Sequence, residues 1–371
     1  MHGVGIGTYP GFVEGEFTDV PALKEAVLTA IQAAEQQSRT RIREIGLAVP
    51  APFTRLTLSD ATIRTESRRY RLTEEDINNV IAASCENISF EGFVLMHSTP
   101  VSFLVNGITE TAEPIGERAA ELSVTESHMF VKTAFVRVME EILAPLEIEI
   151  SLFFSADLAN ATHVIPPEER VRPAVLIDVG ATLTSVCTVE NASLTGLEWF
   201  DMGGSQFTGD LAFGLDIPLE YAEQVKRRHT FLQDRLSKIE IVRMPSGVKK
   251  FPQEMVSLIV DARAEELVSL IKDAFHRLGV TPESRPAVYL TGGGISPMHG
   301  SGEFLRTQLG YPVKRDIPSY LHEMNAPNYT SSFGALDFML RATTAVEQED
   351  EPSQLPAAAT FANKLKNFFR Q

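Results

Sequence analysis

The chain has 371 residues, 44% of them hydrophobic and 22% charged, and its 49 acidic against 33 basic side chains give a formal net charge of −16. A polymer this acidic repels phosphate backbones, which excludes a general nucleic-acid binder, because such proteins need a basic face to release counterions. Two cysteines, Cys85 and Cys187, supply neither a disulfide framework nor a zinc knuckle; their scarcity fits a reducing cytosol, and a core of this size needs no structural metal. The length fits two domains, or one divided into lobes. No run of eighteen apolar residues occurs, and Met1-His2-Gly3-Val4-Gly5 lacks the basic start and apolar stretch of a secretory signal. The sequence therefore predicts a chain that neither spans a membrane nor is exported by that route.

From Asp19 to Glu35, Leu23, Val27 and Ile31 recur four apart, with Asp19 placed as N-cap and Pro21 in the first turn, which predicts an amphipathic helix. A short strand, Ile45 to Val49, ends in Pro50-Ala51-Pro52, expected to be extended. Arg64 to Arg71 is polar, and Thr73-Glu74-Glu75-Asp76 opens a second helix with Ile77, Val80 and Ile81 on one face. Strands are expected at Phe93–His97, Phe103–Val105 and Leu122–Val124, with turns at Gly107 and Gly116, so this stretch has the pattern of a small α+β insert. An apolar helix is expected from Met129 to Ile142, and Pro166-Pro167 precedes a change of register. Ala174-Val175-Leu176-Ile177 has the continuous apolar pattern of a strand covered on both faces. It stops at Asp178-Val179-Gly180-Ala181-Thr182, and a second strand follows from Ser185 to Val189. Helices are expected at Leu219–Arg228 and Val256–Leu278, separated by a weakly patterned stretch, 230–254, with a turn at Met244-Pro245-Ser246-Gly247. Val288-Tyr289-Leu290 is another buried strand, ending in Thr291-Gly292-Gly293-Gly294.

The two glycine turns carry the first functional signal. Glycine lets the backbone approach a ligand, and consecutive N–H groups in a turn form an anion-binding concavity. Thr182 and Thr184 would add hydroxyl donors to a phosphate, and Asp178, at the end of a buried strand, stands where an α/β sheet places ligand chemistry and suits an outer-shell contact to magnesium. Either turn alone is explained as a tight turn; the two together favour a nucleotide. Gly3-Val4-Gly5-Ile6-Gly7 has phosphate-loop composition, but no strand precedes it and no helix follows directly. Glu223 and Lys226, three apart, would hold a ribose hydroxyl and a phosphate or base, although spacing alone favours a solvated ion pair. No residue is singled out as catalytic.

At the C-terminus, Phe361, Leu365, Phe368 and Phe369 fall at i, i+4, i+7 and i+8, flanked by Lys364, Lys366 and Arg370. After an acidic, Pro-containing linker, 347–356, this basic amphipathic stripe predicts a helix lying in the headgroup region of an anionic membrane. Packing on its own domain is the alternative.

Further stretches are His97-Ser98-Thr99-Pro100 with Pro114-Ile115-Gly116, Met202-Gly203-Gly204-Ser205-Gln206-Phe207-Thr208-Gly209-Asp210, Ala222-Glu223-Gln224-Val225-Lys226 and Leu290-Thr291-Gly292-Gly293-Gly294. In this order they resemble the actin-like ATPase superfamily and, within it, the FtsA family of bacterial cell-division proteins. The resemblance implies an α/β, actin-like two-lobed fold with an inserted small α+β (SHS2-type) subdomain. It assigns 1–42 and 126–172 to lobe I, 43–125 to the insert, 173–226 and 287–346 to lobe II, 227–286 to an outer subdomain, 347–356 to the linker and 357–371 to a membrane-targeting helix. It further implies ATP with Mg2+, the metal near Asp178. Gly180, Ala181, Thr182 and Thr184 would form a phosphate loop, Gly203 and Gly204 would lie near the terminal phosphate, Glu223 and Lys226 at the ribose, and Gly292, Gly293 and Gly294 at the adenosine. Implied partners are the C-terminal peptide of the tubulin-like protein FtsZ, further copies of the chain in a filament, inner-membrane lipids and septal division proteins. The implied location is the cytoplasmic face of the bacterial inner membrane at the division site.

Two departures qualify these expectations. The superfamily begins with a strand, an Asp-x-Gly-Thr phosphate loop and a second strand, and this chain starts where that hairpin has ended; either the start is placed late or the protein is a nucleotide-poor scaffold. In addition Asp178-Val179-Gly180-Ala181-Thr182-Leu183-Thr184-Ser185 lacks the usual second glycine and final acid, which brings it closer to the pilus-assembly family PilM. The sequence reading is a scaffold with at most weak ATPase activity. PilM-like pilus assembly is the nearest alternative, and a soluble sugar or acetate-type kinase the more distant one.

Overall fold

The computed structural model describes residues 2–65, 70–86, 88–232, 239–315 and 327–347. The linker beyond Glu347 and the amphipathic segment 357–371 lie outside the described residues. The described chain clusters into two compact units, one from Met1–His163, Val189–Gly196 and Gly334–Gln371, the other from Val164–Thr188 and Leu197–Phe333.

In the first unit a two-residue hairpin, β1 (Phe12–Val13) and β2 (Glu16–Phe17), leads into α1 (Val20–Ser38). Asp19 caps α1 as its spacing predicts, accepting a hydrogen bond from the Ala22 amide at 2.9 Å. β3 (Glu44–Val49) follows; Ala51–Phe53, expected to be extended, is instead a single 3-10 turn, and only Pro50 keeps the extended conformation. The remaining elements are β4 (Thr54–Arg64), α2 (Glu74–Ser84), β5 (Phe93–Val105), β6 (Thr109–Thr111), β7 (Glu121–Lys132), α3 (Thr133–Leu143), β8 (Glu149–Ser155) and α4 (Ala156–Val164). β3 and β8 pair in parallel, and Leu23, Phe53, Phe135 and Ile142 pack with Val49 of β3. β4-β7-β5-β6 form a separate antiparallel sheet, with Leu72, Ile77, Val80, Phe103 and Leu122 as its own core under α2. Thr73 and Asp76 cap α2 reciprocally.

Two expectations are corrected here, and the glycine-rich start acquires a packing role. The stretch 93–105 is one strand and not two, because register shifts at Leu95/His97 and Pro100/Ser102 absorb the missing amide of Pro100. Met129 to Lys132 close β7 and are not helix; β7 pairs on both edges, so Met129, Phe130 and Val131 are buried and form an apolar run that merges with α3 in the sequence. Gly3, Gly5 and Gly7 line up along α1, where a Cβ would meet the backbone of Ala34, Ala30 and Ala26 in turn. Alternate residues of an extended segment thus match every fourth residue of a helix, and the glycines serve close packing.

The second unit comprises β9 (Ala174–Val179), β10 (Thr184–Glu190) as far as Thr188, β11 (Ser193–Phe200) from Leu197, α5 (Gly204–Leu215), α6 (Leu219–Arg228), β12 (Ile239–Met244), β13 (Gly247–Pro252), α7 (Gln253–Arg277), β14 (Ala287–Thr291), α8 (Ser301–Leu309) and β15 (Val313–Arg315). Its sheet has the order β11-β10-β9-β14-β15, with β9, β14 and β15 parallel. Val175, Ile177 and Leu290 from the sheet pack with Phe207 and Leu211 of α5 and Val260 and Leu267 of α7. The weakly patterned 230–254 stretch contains the β12–β13 hairpin around the expected turn; its half-exposed strands carry little apolar signal. A last helix, α9 (Thr330–Glu347), returns to the first unit from Gly334 onward, where Phe338 stacks on Phe154 with centroids 4.9 Å apart. Among the described residues no helix is long and apolar enough to cross a membrane.

Candidate functional site

The second unit brings three loops together at the C-terminal end of β9. Asp178 of β9 stands opposite Thr291 of β14 in parallel register, so the two glycine turns leave the sheet side by side. The first closes on itself, the Gly180 amide donating to Leu183 O at 2.9 Å. The start of α5 docks on it: the Gly204 amide donates to Gly180 O at 2.9 Å and the Ser205 amide to Ala181 O at 2.8 Å. The second turn joins through the Gly294 amide, which donates to Val179 O at 2.8 Å.

This convergence explains the glycines. A Cβ on Gly203 would lie 2.6 Å from Ala181 O, on Gly204 2.7 Å from Gly294 Cα, and on Gly294 2.5 Å from Gly180 O. Backbone meets backbone there. Gly292 also takes φ +90°, and a Cβ would collide with the Asp178 carboxylate and Val179 O. Gly293 faces Asn328, whose Cβ is 2.7 Å from the same test position.

The donors that this packing leaves are few and directional. Among the described residues, the Ala181 and Thr182 amides make no backbone hydrogen bond, and both residues are at least partly open to solvent. Thr184 turns inward: it is fully buried and its hydroxyl donates to Met202 O at 2.7 Å, so its hydrogen holds the turn. Asp178 is half-buried and accepts a bond from Ser331 Oγ at 3.1 Å.

Glu223 and Lys226 form the ion pair that their spacing suggests, at 2.7 Å, but Lys226 is buried rather than solvated. Its ammonium also donates to Gly204 O at 3.0 Å, which ties α6 to the first turn of α5. Thr208 donates to Glu223 at 2.6 Å and Arg227 reaches the other carboxylate oxygen at 2.8 Å. Burial pushes the Glu223 carboxyl up, but the bonds from Lys226, Thr208 and Arg227 outweigh it and hold the group below the usual range. Burial draws the Lys226 ammonium down against the pull of Glu223. The short contacts on both oxygens favour the charged pair at neutral pH.

Sequence reasoning assigned no role to Ser205, Gln206, Thr208, Asn328 or Ser331. Gln206, three residues after Gly203, accepts from the Gly203 amide at 2.9 Å, the position-N3 half of a capping box and the one readable signal. Asp210 of the Met202–Asp210 run is held by Arg263 of α7 at 2.6 and 3.0 Å, a fork that fastens α5 to α7. Asp178, Gly180, Ala181, Thr182, Gly203, Gly204, Lys226 and Gly292–Gly294 thus come together. The Ala181 and Thr182 amides suit an anion above the first turn, which fits one side of a phosphate site, while the Lys226 ammonium is committed to Glu223 and Gly204 O. The tail residues Phe361, Lys364, Leu365, Lys366, Phe368, Phe369 and Arg370 lie outside the described residues.

A model of the family "Cell division protein FtsA" matches residues 175–334. The chain is 23% identical over 350 residues to cell division protein FtsA of Bacillus subtilis, covering 91% of this chain and 78% of that protein. It is 24% identical over 353 residues to FtsA of Pseudomonas aeruginosa, covering 91% and 83%. Among solved structures, a chain of the PilM-PilN type IV pilus biogenesis complex superposes with a TM-score of 0.58 at 18% identity, covering 89% of both chains. MreB5 of Spiroplasma citri bound to AMPPNP superposes with a TM-score of 0.53 at 13% identity, covering 92% of this chain and 81% of that one. The fold is therefore actin-like, and the resemblance to FtsA cell-division proteins extends over most of the chain.

Proposed function

We propose that this actin-like protein is a cell-division scaffold of the FtsA type, which assembles on the inner membrane, tethers FtsZ filaments and recruits septal proteins. The observation that carries this reading is the similarity to curated FtsA proteins over 91% of the chain. In this reading the Ala181 and Thr182 amides would face the phosphates of ATP, and Gly180, Gly203 and Gly204 would hold the loops together beneath them. Glu223 and Lys226 would flank the ribose, Gly292–Gly294 would border the adenosine, and Asp178 would make an outer-shell contact to a magnesium ion. Bound nucleotide would supply phosphate charge that bridges these loops. Turnover is expected to be negligible.

The tail accounts for membrane recruitment. Burying Phe361, Leu365, Phe368 and Phe369 is worth at most roughly 1.5–3 kcal/mol each, and each of Lys364, Lys366 and Arg370 adds about 1 kcal/mol near an anionic leaflet. Ordering the segment costs roughly 1 kcal/mol or more per residue. One tail binds weakly, and a filament that displays many binds firmly. Liposome co-sedimentation of the full chain and of a deletion of residues 357–371, together with pull-down by an FtsZ C-terminal peptide, tests the reading. Loss of lipid binding on deletion, with retained peptide capture, is expected. No capture of the FtsZ peptide would overturn it.

A PilM-like role is the second reading, favoured by the mutual 89% coverage with a chain of the PilM-PilN complex. It predicts binding to a pilus inner-membrane protein in place of the FtsZ peptide.

A further inference from the structure

The antiparallel sheet of the first unit holds a cluster that the nucleotide reading leaves unused. Cys85 forms the C-cap of α2, while Glu126 and His128 sit two apart on one face of β7. The Cys85 thiol, a Glu126 carboxylate oxygen and a His128 ring nitrogen all lie within 4.8 Å of one another, with Cys85 Sγ 3.7 Å from Glu126 Oε2. Glu126 and His128 are each 1% exposed, whereas Cys85 remains accessible to solvent.

The hydrogen bonds around His128 fix its ring. Ser59 Oγ donates to Ser84 O at 2.9 Å, and a carbonyl can only accept, so the single Ser59 hydrogen is spent there. Ser59 Oγ, 2.7 Å from His128 Nε2, must then accept from an Nε2–H. In the neutral ring Nδ1 therefore carries the lone pair; Ser98 Oγ lies 2.7 Å from it. An imidazole whose second nitrogen is anchored through a hydroxyl to a backbone carbonyl is the arrangement that orients metal-binding histidines. The carbonyls at the end of α2 add partial negative charge on the side of Cys85.

We propose that Cys85, Glu126 and His128 form a binding site for a divalent transition-metal ion of the zinc class, with a fourth position open to water. Thiolate, imidazole and carboxylate together suit zinc, and a tetrahedron of such ligands has edges of roughly 3.3–3.8 Å, so the side chains close by about 1 Å around the ion. On binding, the Cys85 S–H bond breaks and its proton leaves to solvent while sulfur takes the metal; Nδ1 exchanges Ser98 for the ion. Cys85 stands 41 residues from Glu126 in sequence, so no short motif announces the site.

Cobalt(II) titration of the full chain is the direct test. One equivalent is expected to produce a thiolate-to-cobalt charge-transfer band that zinc displaces. The band should vanish in Cys85→Ser and survive in Cys187→Ser, whose thiol is buried in the second unit. Ser59→Ala should weaken cobalt affinity by about 10–100-fold; unchanged affinity would overturn the assigned ring orientation. The unaltered protein gives an independent readout: zinc should slow alkylation of Cys85 by iodoacetamide, read by peptide mass spectrometry, and EDTA should restore it. No band with folded protein, a band that persists in Cys85→Ser, or alkylation indifferent to zinc would overturn the site.

Discussion

Replacement of His97 by phenylalanine isolates one buried base. His97 lies on β5 opposite Met129 of β7, is 3% exposed, and neither ring nitrogen has a hydrogen-bond partner among the described residues. Burial alone pushes its pKa down from 6.5 to about 4. For a base whose folded value lies below its unfolded one, the unfolded chain takes up the proton first, so stability is full above pH 6.5 and falls as the pH drops toward 4. One pKa unit corresponds to about 1.4 kcal/mol, so the loss is about 1.4 kcal/mol near pH 5.5 and about 3 kcal/mol across the whole window. Phenylalanine keeps a ring near Phe338, whose centroid is 6.5 Å away, and cannot titrate. Urea unfolding followed by circular dichroism at about pH 7.5 and about pH 5.5 should show the variant losing about 1.4 kcal/mol less than the parent between the two. Equal losses in the two proteins would refute the assignment of a buried, neutral His97.

Two further outcomes follow from the loop cluster. Lys226→Met removes the ammonium from Glu223 and Gly204 O, and should destabilise the second unit by about 2–3 kcal/mol in urea. The cost stays at that level because Glu223 keeps Arg227 and Thr208, and adding Glu223→Gln should recover part of it. Gly292→Ala forces a side chain into φ +90° against Asp178 and Val179, and should cost at least about 2 kcal/mol. The single tryptophan, Trp199, lies in the same unit and reports that unfolding by fluorescence.

Local physics made part of the fold legible. The Asp19 cap, the Thr73/Asp76 box and the apolar run of β9 each depend on neighbours in sequence, and each appears where expected. β5 was obscured because Pro100 is a local stop signal that a bulge overrides, and the end of β7 because burial on both faces erases the period that separates strand from helix. The candidate site divides along the same line. The glycine turns are visible in sequence, but Ser331 beside Asp178, the inward Thr184 hydroxyl and the Arg263 fork on Asp210 arise from residues brought together only by the fold. Cys85, Glu126 and His128 are the extreme case, joined by a register that no spacing encodes.

The glycines bear on affinity as well as on packing. At Gly203, Gly204 and Gly294 the space that a Cβ would occupy is filled by neighbouring backbone, so these residues serve to bring the loops together and do not themselves leave room for a ligand. The first amides of α5 are spent on Gly180 O and Ala181 O, and the Lys226 ammonium is already paired with Glu223. Among the described residues the Ala181 and Thr182 amides make no backbone hydrogen bond and are open as donors. Hydrogen bonds to a charged group contribute roughly 1.5–3 kcal/mol each, so this face offers about 3–6 kcal/mol before the cost of holding the ligand, which corresponds to weak binding. A scaffold that uses nucleotide to bias assembly tolerates such affinity.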